Sequence, residues 1–74
     1  MIEAAENFLR DIGFHDVRVR HHEFENRPLA RIEVGSTELP KFLGNGISVR
    51  VAGALKQIGY VHVTVDLQGY RRPS

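Results

Sequence analysis

Seventy-four residues, 42% of them apolar, with no cysteine and a formal net charge of +1, allow one small domain and exclude a disulfide framework, a thiolate metal site and a thiol nucleophile. The charge is too small for a general grip on nucleic acid, yet eight of the ten basic residues are arginine, the side chain suited to planar, bidentate contact with anions. No apolar run approaches the roughly 18 to 20 residues of a membrane span. The start, with Glu3 and Glu6, is unlike a secretory signal, so a cytoplasmic protein, or a piece of one, with no membrane partner is expected.

In residues 2–12, Ile2, Ala5, Phe8, Leu9 and Ile12 recur at helical spacing, and Gly13 stops the helix in a conformation that glycine reaches without a Cβ penalty. A strand follows over residues 16–22, with Val17 and Val19 on one face and Arg18 and Arg20 on the other. The polar stretch 22–28 does not alternate and reads as an exposed hairpin loop. Residues 29–34 form a second strand, Ala30, Ile32 and Val34 opposing Arg31 and Glu33. Ser36 can cap a short helical turn over residues 37–43, and Gly44, Asn45 and Gly46 break it.

A second helix over residues 47–58 buries Ile47, Val51, Ala54, Leu55 and Ile58, and a third strand covers residues 60–66. This last part repeats the first: LRDIGFHDVRVR at residues 9–20 matches LKQIGYVHVTVD 46 residues later, at 55–66. The fold class expected is α+β, a small two-layer sandwich in the order α-β-β-α-β, forming a single domain over residues 1–74. A hairpin followed by a helical crossover suggests a mixed three-stranded sheet of order 2-1-3 with both helices on one face.

The other face then displays Arg18, Arg20, Arg31, Glu33, His62, Thr64 and Asp66. A polar solvent face is what any two-layer domain needs, and its charges often form cross-strand pairs. The spacing of Arg18 and Arg20, roughly 6.5 to 7 Å along one side of a strand, also suits a phosphate or sulfate held between them. His21 and His22 point to opposite faces and cannot chelate one metal in a regular strand, so no metal site is expected. Glu33 and Asp66, beside arginines, are expected to pair as ions rather than to act as an acid/base couple. Gly44-Asn45-Gly46 lacks the lysine and the preceding strand of a phosphate-binding loop.

Read together, GFHDVRVRHH, ARIEV and ALKQIGYVHVTVDLQGYR resemble the C-terminal region of the LarE family over nearly the whole chain. Members of that family are ATP-dependent sacrificial sulfur transferases with an N-terminal PP-loop pyrophosphatase-type domain, serving synthesis of a nickel-pincer nucleotide cofactor. The resemblance implies that Glu6, Arg18 and Arg20 belong to the region of the sulfur-donor site, the arginines binding phosphate or sulfate, with Arg31 as a companion and Arg71 as a weaker one.

The PP-loop signature and the sacrificial cysteine of some members are absent, and residues 23–28 lengthen the hairpin. The chain alone is therefore not expected to catalyse the reaction or to bind a cofactor. ATP and magnesium belong to a PP-loop domain, fused or separate, and the whole protein is expected to be a homo-oligomer. The chain reads equally as an excised domain with an added Met1 or as a stand-alone relative.

The leading expectation is thus an accessory domain whose arginine face binds the phosphate of a nucleotide substrate. An RNA-binding module working with a PP-loop tRNA-modifying enzyme is the second reading. It is opposed by the near-neutral charge and by outward strand positions that hold no Phe or Tyr for stacking. A purely structural oligomerisation module, its charges pairing across a symmetry axis, is the third.

Overall fold

Helix α1 (Ile2–Asp11) buries Ala5 and Leu9 completely and packs Phe8 against the same core. It ends where Gly13 takes φ +108° and donates to the Arg10 carbonyl, after which the Phe14 amide bonds back to Leu9 O at 3.0 Å. Helix α3 (Ile47–Ile58) repeats the device: Val51 and Leu55 are buried, Gly59 takes φ +133°, and the Tyr60 amide bonds to Leu55 O at 3.1 Å. Both aromatics are turned fully into the core. These contacts come from a computed structural model that describes residues 1–69.

Strands β1 (Val17–Phe24) and β2 (Arg27–Val34) pair antiparallel, and β3 (His62–Val65) pairs parallel to β2, giving the order β1-β2-β3. The α+β class and the mixed three-stranded sheet are as expected; the order 2-1-3 is not. β2, not β1, is central, because the crossover through α3 delivers β3 to the free edge of the strand it has just left, the shorter of the two routes. The backbone bonds Val61 N to Pro28 O and Asp66 N to Ile32 O, at 3.0 and 2.8 Å, continue the β2–β3 pairing past both ends of β3.

The expected loop over residues 22–28 is also corrected. Both strands run on to a two-residue turn in which Glu25 and Asn26 have φ of 52° and 62°, the pair of left-handed values of a type I′ hairpin. Glu23 faces Pro28 and Phe24 faces Arg27 across it. Helix α2 is only Leu39–Phe42, and Ser36 does not cap it: its N-cap is Glu38, and the Gly35 carbonyl accepts from the Glu38 and Leu39 amides.

A single core collects Ala5 and Leu9 of α1, Phe42 of α2, Val51 and Leu55 of α3, and Val17, Val19, Ala30, Ile32 and Val34 of the sheet. With side chains alternating across a strand, Arg18, Arg20, His22 and Phe24 on β1, Arg27, Leu29, Arg31 and Glu33 on β2, and His62 and Thr64 on β3 share the opposite, polar face. Among the described residues no helix is long and apolar enough to cross a membrane.

Candidate phosphate-binding site

The antiparallel register sets Arg18 opposite Glu33 and Arg20 directly opposite Arg31. Two guanidiniums facing each other would repel. Glu33 resolves this: its side chain, only 13% exposed, accepts from Arg20 Nε at 3.0 Å with one oxygen and from Arg31 Nη2 at 3.3 Å with the other. The ion pairing expected of Glu33 is therefore formed, and it clasps two arginine heads side by side. Arg31 Nε is buried without a hydrogen-bond partner among the described residues.

Arg18, exposed on the same face, lies two residues before Arg20 on β1. Arg18, Arg20 and Arg31 thus share one face, with Glu33 on it as well. Asp66, the other acidic candidate, is used locally: its Oδ1 accepts from the Gln68 amide at 2.9 Å in a turn. Thr64 Oγ1 donates to the Ala30 carbonyl at 2.9 Å. Arg71 lies outside the described residues.

Glu6 reaches the strand through its backbone. Its Oε2 accepts from the Val19 amide at 2.9 Å, and its Oε1 lies 3.7 Å from Arg10 Nη2 one helical turn on. β1 is an edge strand, so one row of its amides has no sheet partner, and Glu6 satisfies the amide that lies between Arg18 and Arg20. Burial, and after it the negative charge of Glu6, raise the Tyr60 phenol above its ordinary 10.0.

His21 and His22 separate as expected. His21 Nδ1 lies 3.4 Å from the Tyr60 hydroxyl and its Nε2 3.2 Å from Glu23, whereas His22 falls on the polar face. Among the described residues no three His, Asp or Glu side chains gather into a metal-sized cluster.

Three features escaped the sequence. Glu38 accepts from the His15 and Asp16 amides at 3.1 and 2.9 Å, and Lys41 donates to Gly13 O at 2.9 Å while standing 4.8 Å over the Phe14 ring, so α2 braces the loop that leads into β1. These contacts join residues more than twenty positions apart and carry no local pattern. Second, Gly35 and Gly69 are close-approach sites. A Cβ on Gly35 would meet the Asp16 carboxylate at 2.6 Å, and one on Gly69 the Val34 carbonyl at 2.6 Å. Third, Phe24 is half exposed on the polar face, its ring 5.6 Å from that of His62 and nearly perpendicular to it. The expectation that outward strand positions hold no Phe fails because β1 runs two residues further than the alternation indicated.

The resemblance of the chain to the C-terminal region of the LarE family is borne out by comparison with known proteins. The chain is 40% identical over 70 residues to the pyridinium-3,5-bisthiocarboxylic acid mononucleotide synthase of Lactiplantibacillus plantarum, a match covering 95% of this chain and 23% of that protein. An uncharacterized protein of Synechocystis is 33% identical over 70 residues, 95% of this chain and 25% of its own length. The chain thus spans about a quarter of the length of the curated relatives it matches. No family model matches it.

Proposed function

We propose that this chain is the substrate-phosphate-holding domain of a LarE-like, ATP-dependent sulfur transferase of nickel-pincer cofactor synthesis. Arg18, Arg20 and Arg31 bind the phosphate of a mononucleotide substrate, and a PP-loop domain, fused or separate, binds ATP and magnesium and performs the activation. The assembled protein works in the cytoplasm as a homo-oligomer. The observation that carries this reading is the clasp of Arg20 and Arg31 by Glu33, which fixes two guanidiniums beside each other at an exposed face. An anion arriving there meets donors already oriented, and charge-assisted, paired contacts of this kind are the strong ones. The name of the Lactiplantibacillus relative refers to a mononucleotide, a molecule bearing such a phosphate. Glu6, holding the strand between Arg18 and Arg20, sets where the arginines stand and brings a carboxylate near the donor sulfur.

The test is a chimera in which this chain replaces the matching C-terminal part of the Lactiplantibacillus synthase. Arg18→Ala or Arg20→Ala in the chimera is expected to impair sulfur transfer while leaving ATP consumption largely intact. Loss of the ATP-dependent step, with substrate binding unchanged, would count against the assignment.

A further inference from the structure

We propose that the free edge of β3 is where two molecules of this chain meet, their β3 strands pairing antiparallel across a twofold axis at Thr64. The two sheets then run on as one. This gives the homo-oligomer proposed above its interface and rests on that proposal for the expectation of association alone.

The two edges of the sheet are finished differently. β1 carries Arg18, Arg20 and Glu23, and Glu6 occupies its Val19 amide. Charges and a filled amide keep another strand away from that edge. β3, His62-Val63-Thr64-Val65, has no Lys, Arg, Asp, Glu or Pro. The Asp66 amide bonds to Ile32 O at the end of the β2–β3 ladder. Amides alternate along a strand, so those of Val63 and Val65 point to the open side.

Beside this edge the domain is not closed on its helix side. An apolar cleft lined by Ile32, Phe42, Val51, Val63 and Val65 opens between α3 and β3. Val49, one residue after Ser48 of the same lining, is 77% exposed, and Leu67, two residues beyond Val65, is 71% exposed. An uncharged edge strand with an open apolar cleft next to it is a surface for a partner rather than for water.

The chemistry of the edge selects the partner. Residues 61–67, VHVTVDL, are palindromic in character about Thr64. In an antiparallel pair centred there, Thr64 faces its own copy, Val63 of each protomer faces Val65 of the other, and His62 faces Asp66. The valine pairs lie on the cleft side and exchange the outward backbone bonds. The imidazole–carboxylate pairs and the threonine pair lie on the polar face. All three are cross-strand pairs that stabilise a sheet. A register one residue away would set polar side chains on the cleft side. A second molecule carries the matching order by construction, as no unrelated strand does.

The experiment is sedimentation equilibrium of the 74-residue chain from micromolar to millimolar concentration, with hydrogen exchange followed by NMR over the same range. The mass is expected to rise from 8.4 kDa towards twice that value, in the upper part of the range because so small an interface belongs to the weak class. Exchange at the Val63 and Val65 amides should slow in step. His62→Glu sets like charges opposite each other at two places and should weaken association about tenfold, whereas His62→Lys should tighten it. His62 is exposed, so both variants are expected to fold. Both lose the same ring, so their difference reports the sign of the charge.

A mass that stays at 8.4 kDa up to millimolar concentration would overturn the pairing and leave the edge to a strand from elsewhere in a longer protein. Association indifferent to the charge at residue 62, with exchange at Val63 and Val65 unchanged, would overturn it in favour of another surface. Neither result touches the phosphate reading, which stands or falls by anion binding at Arg18, Arg20 and Arg31.

Discussion

The helix–glycine–aromatic–strand unit occurs twice in this chain, and the two copies agree in structure but differ in what their polar positions do. Gly13 and Gly59 both take positive φ, Phe14 and Tyr60 are both buried, and both aromatic amides bond back to the leucine five residues before them. The copies differ where chemistry could reside. Glu6 in the first corresponds to Ala52 in the second, Arg18 to Thr64 and Arg20 to Asp66. In the second copy, Thr64 bonds the backbone of the neighbouring strand and Asp66 caps its own turn, so these side chains serve the fold. In the first, Glu6 steadies the edge strand and Arg20 joins Arg31 around Glu33. The repeated part is local architecture; Glu6, Arg18 and Arg20 are unrepeated positions of one copy.

The comparison can be broken first at its shared core. Leu9 and Leu55 are both fully buried. Leu9→Ala and Leu55→Ala should each cost about 2 to 5 kcal/mol, and similar losses in chemical denaturation are expected because the two sites are equivalent. A large inequality would show that the copies are not matched in packing.

A smaller effect is expected where the second copy closes. Gly69 sits at φ +76° and a Cβ there would meet the Val34 carbonyl at 2.6 Å. Gly69→Ala should therefore cost about 2 to 3 kcal/mol, from left-handed strain together with the displaced backbone. Thermal unfolding would measure it. A loss within a few tenths of a kcal/mol would contradict the close approach of this turn to β2.

In the first copy the strand edge depends on a carboxylate. Glu6→Ala leaves the Val19 amide without its acceptor and should cost about 1 to 2 kcal/mol. Faster hydrogen exchange at Val19 than at its neighbours in the variant would localise the loss. Unchanged exchange there would remove Glu6 from the edge of β1.

The smallest effect concerns the aromatic pair. Tyr60 carries the hydroxyl that Phe14 lacks, and burial, then Glu6, raise its pKa above 10.0. The folded state therefore keeps a proton that the unfolded state releases first. The stability from this preference is whole below the ordinary phenol value and is lost as pH rises through the raised one. Tyr60→Phe should flatten that alkaline decline while costing less than about 1.5 kcal/mol at neutral pH, the ordinary worth of a single hydrogen bond. An equally steep decline in the variant would assign it to another group.

The helices and their glycine stops were legible because their signals lie within a few residues. The face shared by Arg18, Arg20 and Arg31 was legible too, since strand parity alone assigns it. Strand order was not, because a parallel pairing is decided by which edge the crossover reaches, and no residue of β3 marks that choice. The hairpin tip was hidden because Glu25–Asn26 is not the Asn-Gly pair that announces a type I′ turn. With it, Phe24 was hidden as well. The roles of Glu38 and Lys41 follow only from tertiary contact, and the place of Glu6 beside the arginine strand came from family resemblance rather than from spacing.

The most direct test of the central claim is a titration of the isotopically labelled chain with inorganic phosphate, followed by NMR at the backbone amides and the arginine Nε groups. The account predicts saturable shifts at Arg18, Arg20 and Arg31 and at the strand positions around them, with Thr64 and Asp66 of the second copy moving far less. An absence of shifts at millimolar phosphate, or shifts as large at Thr64 and Asp66 as at the arginines, would contradict it.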